Sequence, residues 1–515
     1  MKKRLIAIAL VLVMVITLSA CKGNTPNEPE PTTNPDGPTG EPVDGGEIVI
    51  GISTDLETSL DPHVSSSSAG TREVLFNVFE GLVKPDPDGN LIPAIAEDYV
   101  VNETADEYTF TLREGVKFHN GNEVTVGDVV YSLTHAAGLD TGTPLVKELA
   151  AIASVEAKDD KTVSVKLNAP DTEFIAYLTT AIVPEGVDQN KEVVGTGPYK
   201  LVSRTVQESV VFEKNADYWG EPAHLDKVTL RVIDNAETLV MSLKSGAIDM
   251  ATRLIASQVA ELDNMTILEG SSSAVQALYL NNAVEPLNDV KVRQALCHAI
   301  DKQAILDIAF DGHGNLLGSS MYPAFKKYYV EELTNYYEYS PEKAKELLKE
   351  AGYENGFTFT ITVPSNYQQH VDTAQVIVEQ LGQVGITAKI NQVEWATWLS
   401  ETYQGRNFEG TIVSFDSHWL AASGLLARFQ SDNGKNMINF NSADFDAKYK
   451  EAISTTDDAT KVAAFKECER ILTENAANVY IQDVGSMVAI GKNFAGYQFY
   501  PLYVCDFSKI YKIAE

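Results

Sequence analysis

The stretch FDSHW at residues 415–419 combines a carboxylate, an imidazole and two aromatic rings, and it follows a predicted strand at 409–415. Ligand contacts in open α/β sheets gather at the carboxyl ends of strands. We therefore expect this strand end to line a ligand pocket. The residues expected to contact a ligand there are Phe415, Asp416, His418 and Trp419.

The eight histidines could supply metal ligands, but none belongs to a close motif such as HExxH. They are His63, His119, His135, His224, His298, His313, His370 and His418. Distant parts of the chain could still bring His63 and His418 together, although a packed or exposed position is the default for each. We predict no directly bound metal. Nickel held by a small-molecule chelator stays open, because a chelate needs fewer protein ligands.

The usual signatures of catalysis are missing from the sequence. It contains no GxSxG elbow, no zinc motif and no cysteine beside a credible base. Carboxylate pairs are inevitable in a chain with 72 acidic residues, and aromatic residues beside Asp or Glu could belong to a glycoside hydrolase. We predict no cofactor.

The stretch VGTGPYKL at 194–201 interrupts the predicted helices and strands that position these residues. Gly195 and Gly197 can take positive φ and let another backbone approach closely. Residues 199–202 then alternate like a strand. A phosphate-binding loop is the rival interpretation, but Lys200 lies inside the strand pattern and no helix N-terminus follows. We predict a hinge-like turn at which the chain returns to a domain that it left earlier.

Helices and strands alternate along the rest of the chain, which is typical of an α/β protein. Thr125 is expected to cap a helix with Asp128 in its first turn, and Ser340 to cap another with proline at its first position. Helices are predicted at 72–82, 126–137, 290–310, 341–352 and 371–384, and strands at 47–52, 108–113, 278–282, 357–363, 386–393 and 409–415.

The N-terminus has the layout of a secretory signal, with three basic residues, an apolar run and small residues before Cys21. This junction resembles a bacterial lipobox, in which Cys21 becomes the lipidated first residue of the mature chain; a plain cleaved signal over 1–20 is the alternative. Residues 21–46 are rich in Pro, Gly, Thr and Asn and predict a flexible tether. We expect an exported protein held at a membrane surface, on the outer face of the cytoplasmic membrane or in the periplasm.

The composition agrees with export and limits the partners. The net charge of −32 disfavours nucleic acid and anionic lipid headgroups. Cys297, Cys468 and Cys505 are far apart in sequence; two could pair, but buried single thiols are favoured. No second segment is long and apolar enough to cross a bilayer. The length predicts two or three domains.

Several motifs together resemble one family. They are LDPH at 60–63, PAIAEDY at 93–99, YTFTLREGVKFHNGNEVTVGDVVYSL at 108–133, VGTGPYKL at 194–201, KNADYWG at 214–220 and LKSGAIDM at 243–250. In this order they are similar to the family-5 extracytoplasmic solute-binding proteins of ABC importers, the group of oligopeptide, dipeptide and nickel binders. The resemblance runs from about residue 47 to the C-terminus.

The resemblance implies an α/β, two-lobed, periplasmic-binding-protein-like fold with an extra inserted domain and hinge-crossing segments. Residues 53–63 would line the pocket from the lobe opposite 415–419. Crossing segments are expected at 278–282 and near 480–490, and they allow hinge closure. The implied divisions are domain I at 47–83, 189–277 and 482–515, domain II, the insertion, at 84–188, and domain III, the second lobe, at 278–481.

The resemblance also implies a role for Asp416, which occupies the position of an aspartate that takes the peptide ammonium in peptide-binding relatives. Those relatives continue with an Asp-Pro pair, which this chain lacks, so a solvated or capping role for Asp416 stays open. At least one of Trp395, Trp398 and Trp419 should face the ligand. Arg428 and His370 could meet a ligand carboxylate, although a surface or packing role is favoured for each.

The implied function is capture rather than turnover. We expect a monomeric, membrane-tethered lipoprotein that binds a small solute between its lobes and delivers it to the permease subunits of an ABC importer. An oligopeptide or dipeptide is the first choice of solute; chelated nickel, an oligosaccharide or an opine-like conjugate stays open. The alternatives from other classes are a secreted glycoside hydrolase and a surface adhesin.

Overall fold

One mixed sheet of twelve strands passes through the protein in the computed structural model, which describes residues 40–64 and 69–514. Its longest strand, β19 (Asn478–Gly491), contributes to both halves of the sheet. We call the half of the protein that contains strand Glu47–Ile52 the first lobe and the half that contains strand Ala274–Leu280 the second lobe. The α/β fold class predicted from the sequence is present.

The first lobe contains an open sheet with helices packed beside it. Its sheet strands are β2 (Glu47–Ile52), β9 (Tyr199–Thr205), β10 (Ser209–Lys214), β11 (Lys227–Val232), β12 (Met250–Leu254), β13 (Met265–Ser271) and the second half of β19, and a separate small sheet has β1 (Pro42–Val43), β20 (Phe494–Ala495) and β21 (Tyr511–Ile513). Its helices are α1 (Ala69–Leu75), α3 (Ala236–Ser245) and α4 (Ala256–Val259).

Two small antiparallel sheets and one helix fall almost wholly within residues 84–188, which we call the inserted segment. They are β3 (Val83–Pro85), β4 (Leu91–Pro93), β5 (Ala96–Val101), β6 (Glu107–Leu112), β7 (Ile152–Ala157), β8 (Thr162–Leu167) and α2 (Val126–Ala136). This segment has its own hydrophobic cluster, around Tyr108, Phe110 and Phe174. The domain boundaries drawn from the sequence stay a prediction.

The second lobe carries the remaining strands and most of the helices. Its strands are β14 (Ala274–Leu280), β15 (Gly314–Leu316), β16 (Thr358–Pro364), β17 (Thr387–Val393), β18 (Gly410–Asp416) and the first half of β19. Its helices are α5 (Val290–Ala299), α6 (Lys302–Ala309), α7 (Pro341–Glu350), α8 (Gln368–Gly382), α9 (Trp395–Thr397, continuing as a π-helical stretch to Gln404), α10 (Ser423–Leu426), α11 (Ala443–Ser454) and α12 (Asp458–Glu474).

The two lobes are joined by β19, which runs through both, and by the connection from β13 to β14. Residues 265–271 of β13 pair with the second half of β19, whereas 276–279 of β14 pair with its first half. At the junction, the buried carboxylate of Asp483 accepts bonds from the hydroxyls of Ser271 and Ser272 and from the backbone N–H of Ala274. Burial raises the pKa of Asp483 to about 6. The crossing expected near 480–490 is present in β19. The crossing expected at 278–282 lies earlier, at 271–274 between β13 and β14, because β14 pairs only with strands of the second lobe.

Local capping signals predicted helix starts correctly. Thr125 and Asp128 form a reciprocal capping box on α2, and the Ser340 hydroxyl accepts the N–H of Lys343 at the start of α7, where proline is the first residue. The thiols of Cys297, Cys468 and Cys505 are unpaired and buried, as expected.

Two long predicted helices are interrupted. The helix predicted at 72–82 ends at Leu75, because the backbone carbonyls of Asn77 and Val78 accept the N–H groups of Tyr199 (3.0 Å) and Gly197 (2.9 Å) instead of those of a following helical turn. The helix predicted at 290–310 is two helices, because Asp301 caps a new start. Across residues 40–64 and 69–514, helices long and apolar enough to span a bilayer are absent.

The turn at 194–201 brings backbones together, as predicted. A Cβ on Gly195 would lie 2.0 Å from the carbonyl oxygen of Val78, and one on Gly197 would lie 2.4 Å from that of Asn77. Neither glycine has positive φ, so close approach is what requires them. The chain then enters β9 at Tyr199, as the alternation predicted.

Candidate functional site

The carboxyl ends of three strands meet at one edge of the second lobe. β16 runs parallel to both β17 and β18, so the chain leaves all three strands in the same direction. Aromatic residues follow two of these ends: Tyr367 is 36% exposed and Trp395 is 38% exposed. Asp416 ends the third strand. This edge is where a solute is expected to bind in an open α/β sheet.

Asp416 lies near a cation from the opposite lobe, Arg72, which acts on its charge without forming an ion pair with it. Its Oδ2 atom lies 3.2 Å from Nδ1 of His418, but that contact lacks hydrogen-bond geometry, and Oδ2 is buried without a hydrogen-bond partner among the described residues. Arg72, on α1 of the first lobe, places Nη1 2.6 Å from the His418 carbonyl oxygen and Nη2 3.3 Å from its Nδ1. The Nε atom of Arg72 also lacks a partner among the described residues.

The charge state of Asp416 follows from these neighbours. Burial acts to raise the pKa of Asp416, but the pairing with His418 and the charge of Arg72 outweigh it and hold that pKa below its ordinary value. Asp416 is therefore a carboxylate at neutral pH. Arg72 remains a guanidinium although burial lowers its pKa, because arginine does not lose its proton in proteins.

A cavity of about 540 Å³ opens beside Arg72. This volume is within the range of about 300–1,000 Å³ typical of sites for small molecules. The first lobe, the inserted segment and the segment near the C-terminus line most of it, and the second lobe contributes His418 and Trp419. The lining includes Pro62, Arg72, Phe79, His418, Trp419 and Tyr503.

Aromatic rings connect the strand ends of the second lobe. Trp395 stacks on Trp398 with ring centroids 5.0 Å apart, and the series continues through Tyr403 to Phe415. The guanidinium of Arg428 lies over the Phe415 ring at 3.8 Å, and its Nε and Nη1 atoms are buried without partners among the described residues. These donors are suited to a carboxylate brought by a ligand.

Two predicted histidines are enclosed by protein. His63 is 1% exposed, and its Nε2 lies 2.8 Å from the Ala181 carbonyl oxygen. His370 is 3% exposed and lies 2.9 Å from the Gln276 amide through Nδ1; burial lowers its pKa to about 4. Trp398 is equally enclosed, at 1% exposed, and its indole N–H donates to Thr411. Ligand contact by these three residues stays a prediction.

The structure thus places His418 and Trp419 in the wall of the cavity, and Asp416 contacts His418 without itself lining the cavity. Arg428 and Phe415 form a separate pair outside the lining. Sequence reasoning missed Arg72. The only sequence signal for Arg72 was its position as a cation at the start of a predicted apolar helix. Among residues 40–64 and 69–514, no three His, Cys, Asp or Glu side chains are arranged to hold a metal ion.

Comparison with known proteins identifies similar chains over nearly the whole length. Residues 90–437 match the family model of the bacterial extracellular solute-binding proteins, family 5 Middle. The chain is 30% identical over 484 residues to the glutathione-binding protein GsiB of Pectobacterium atrosepticum, a match covering 88% of this chain and 92% of the relative.

Solved structures share the fold. The ABC transporter-associated periplasmic binding protein DppA from Helicobacter pylori, in complex with peptide STSA, is 26% identical, with a TM-score of 0.71 and coverage of 92% of this chain and 99% of that chain. HbpA2 from Haemophilus parasuis is also 26% identical, with a TM-score of 0.81 and coverage of 91% and 100%.

Proposed function

The chain belongs to family 5 of the bacterial extracellular solute-binding proteins, and we propose that it captures a short peptide or a peptide-like zwitterion of the glutathione type. Proteins of this family bind small solutes outside the cytoplasm and work with the permease subunits of ABC importers. The relatives are binding proteins rather than enzymes, so the chain binds its solute without converting it.

The proximity of Asp416 and Arg72, which act on each other's charge from the two lobes, is the observation that carries the proposal. One lobe supplies a carboxylate and the other a guanidinium, and each has a buried polar atom without a partner among the described residues. A peptide carries an ammonium and a carboxylate, so it can pair with both groups and leave neither charge unpaired. A buried charge left unpaired is costly, which makes such a solute better suited to the cleft than a neutral sugar.

The relatives support the same chemical class. Glutathione, named for the GsiB relative, and the peptide STSA in the DppA complex are both amide-linked zwitterions. The 540 Å³ cavity has room for a molecule of that kind. Arg428 provides further donors for a second carboxylate, the feature that separates glutathione from a simple tripeptide.

The crossing strands provide the mechanical part of the proposal. β19 and the link between β13 and β14 connect the lobes directly, so a rotation about residues 271–274 and 482–486 opens or closes the cleft between the lobes. A solute that pairs with Asp416 in one lobe and Arg72 in the other has its highest affinity for the closed arrangement. It therefore shifts the population toward closure by the difference between its two affinities.

Calorimetry with a defined panel tests this proposal. The panel contains glutathione, di-, tri- and tetrapeptides, the same peptides acetylated or amidated, an oligosaccharide and a nickel–histidine chelate. We expect binding by at least one free peptide or glutathione, with compaction of the chain in solution scattering. Binding by the sugar or the chelate alone would contradict the proposal, and so would conversion of any panel member to a product.

We further propose that Cys21, which lies outside the described residues, carries the lipid anchor predicted from the lipobox-like junction. The test is metabolic labelling with a fatty-acid analogue in a host bacterium, followed by membrane fractionation. The native chain should be labelled and sediment with membranes, whereas Cys21→Ala should be neither. Label that persists in Cys21→Ala would contradict this assignment.

A further inference from the structure

The inserted segment touches the second lobe beside residues 416–422, which we call the ligand loop. We propose that Glu173, on the inserted segment, is a positioning residue that holds the ligand loop in its binding geometry. The inserted segment then contributes to solute affinity without contacting the solute. The part of this inference that concerns affinity rests on the proposed function.

Glu173 is a buried carboxylate whose partners come from the second lobe. Its side chain is 6% exposed. The hydroxyl of Tyr328 donates to Oε1 at 3.0 Å, and the backbone N–H of Ala422 donates to Oε2 at 2.8 Å. The ammonium of Lys461 lies 3.7 Å from Oε1. Each carboxylate oxygen is therefore satisfied across the contact between the inserted segment and the second lobe.

This arrangement fixes the position of the ligand loop. A buried carboxylate is costly unless its hydrogen bonds are made, so the bonds from Ala422 and Tyr328 hold the two parts at one separation and orientation. A charged acceptor also makes these bonds stronger than neutral ones. Displacing Ala422 would leave one oxygen of Glu173 unsatisfied, and the loop cannot move without that penalty.

The loop is compact enough to transmit this restraint to the binding residues. The Ser417 hydroxyl donates to the Ala421 carbonyl at 3.1 Å, and the Ala421 N–H donates to the Trp419 carbonyl at 2.8 Å. The ring of Trp419 also packs edge to face on Tyr177 of the inserted segment, with centroids 5.6 Å apart. Fixing Ala422 therefore fixes the loop that carries Trp419.

The ligand loop is consequently held from two sides. Arg72 of the first lobe bonds the His418 carbonyl near its start, and Glu173 of the inserted segment bonds the Ala422 amide at its end. Trp419 lies between these two fixed points in the sequence, and Asp416 lies two residues before the first of them. Loss of the Glu173 bond should let the loop depart from the geometry in which its carboxylate and indole face the solute together.

Thr172 offers a matched control on the same segment. Its N–H donates to the Ile453 carbonyl at 2.9 Å, and its hydroxyl lies 3.4 Å from the Ala452 carbonyl. These contacts join the inserted segment to α11 of the second lobe, away from the ligand loop. Thr172→Val removes the side-chain bond and keeps the shape and the backbone bond, so it tests for a general effect of loosening this interface.

The experiment combines hydrogen exchange of residues 417–425 with calorimetry, using the solute that the wild type binds best. For Glu173→Ala we expect exchange of the Ala422 amide to rise about tenfold and affinity to fall about tenfold, a change that corresponds to about 1.4 kcal/mol. Glu173→Gln should lie between the alanine variant and the wild type, because an amide oxygen still accepts the Ala422 N–H. Thr172→Val should match the wild type in both measurements.

Three results would overturn the positioning role: unchanged exchange of 417–425 in Glu173→Ala, faster exchange with unchanged affinity, or an equal effect of Thr172→Val. If the alanine variant does not fold, Glu173→Gln and Tyr328→Phe replace it under the same criteria. A wild type that binds none of the panel contradicts the proposed function instead, and the exchange comparison still decides whether Glu173 holds the loop.

Discussion

Nη1 of Arg72 in the first lobe lies 2.6 Å from the backbone carbonyl oxygen of His418 in the second lobe. The same guanidinium is the cation that faces Asp416 and helps to keep its pKa low. The two lobes therefore bring opposite charges to one region, where Arg72 lines the cavity and Asp416 adjoins it through His418. A solute with a single charge would attract one of these two side chains and repel the other, whereas a zwitterion can pair with both.

Replacing Arg72 should reveal which end of a peptide it binds. For Arg72→Gln we expect affinity for peptides with a free carboxylate to fall roughly tenfold to a hundredfold, since hydrogen bonds to charged groups contribute about 1.5–3 kcal/mol. C-terminally amidated peptides should lose much less. Calorimetry on both peptide forms measures the difference, with the exposed Arg231→Gln of the same lobe as the control. Equal losses for the two forms would remove Arg72 from carboxylate recognition.

Asp416→Ala should have the complementary selectivity. Without the carboxylate, a peptide ammonium loses its counter-ion, so free amino termini should be affected far more than acetylated ones. The measurement is the ratio of dissociation constants for each free and acetylated pair. Asp432→Ala, an exposed acid in the same lobe, should leave that ratio unchanged. If Asp416→Ala weakens both members of a pair alike, the residue is not the ammonium anchor.

Replacing each member of the stacked pair Trp395 and Trp398 should show that one stabilises the fold and the other lies at the surface. Trp398 is 1% exposed and Trp395 is 38% exposed, although their rings are only 5.0 Å apart. Trp398→Ala should lower the free energy of unfolding by about 3–5 kcal/mol, the usual cost of removing a large buried aromatic side chain. Trp395→Ala should cost clearly less. Urea denaturation compares the two, and equal losses would show that burial does not decide their roles.

The parts of the site that sequence could predict are those set by local signals. Asp416 and Trp419 were predicted as site residues because a strand end precedes them, and the structure places Trp419 in the cavity wall. The start of α2 was predicted because Thr125 and Asp128 satisfy each other three residues apart. Arg72 was missed because its partner, His418, lies 346 residues away. Pairings at such separations are fixed by the three-dimensional fold and leave no local pattern.

The same physical reason explains the helix that ended early. Apolar spacing favoured a helix through Leu82, but the backbone carbonyls of Asn77 and Val78 accept bonds from Tyr199 and Gly197, far along the chain. Those bonds compete with helix continuation and are invisible to periodicity. Glu173 belongs to the same class, because an acid in a loop gives no sign that its partners are Tyr328 and Ala422.

Glu469, on α12, should make stability depend on pH. It is fully buried, accepts one bond from the Ser319 hydroxyl at 2.6 Å, and has an Oε1 atom without a partner among the described residues. Burial raises the pKa of Glu469 to about 8, so the folded chain holds this proton at neutral pH, whereas an unfolded chain releases it near the ordinary value for glutamate.

The sign of the effect follows from that difference. A raised folded-state pKa favours folding fully below about pH 4.5, and this contribution is lost as pH rises through about 8. Glu469→Gln keeps the shape and removes the titration, so the free energy of unfolding of the wild type should fall relative to this variant between pH 5 and 9, with a slope approaching about 1.4 kcal/mol per pH unit. Urea denaturation across that range measures it, with Glu474→Gln at the exposed end of the same helix as the control. Parallel curves for the wild type and Glu469→Gln would mean that the buried carboxyl is not protonated in the folded chain.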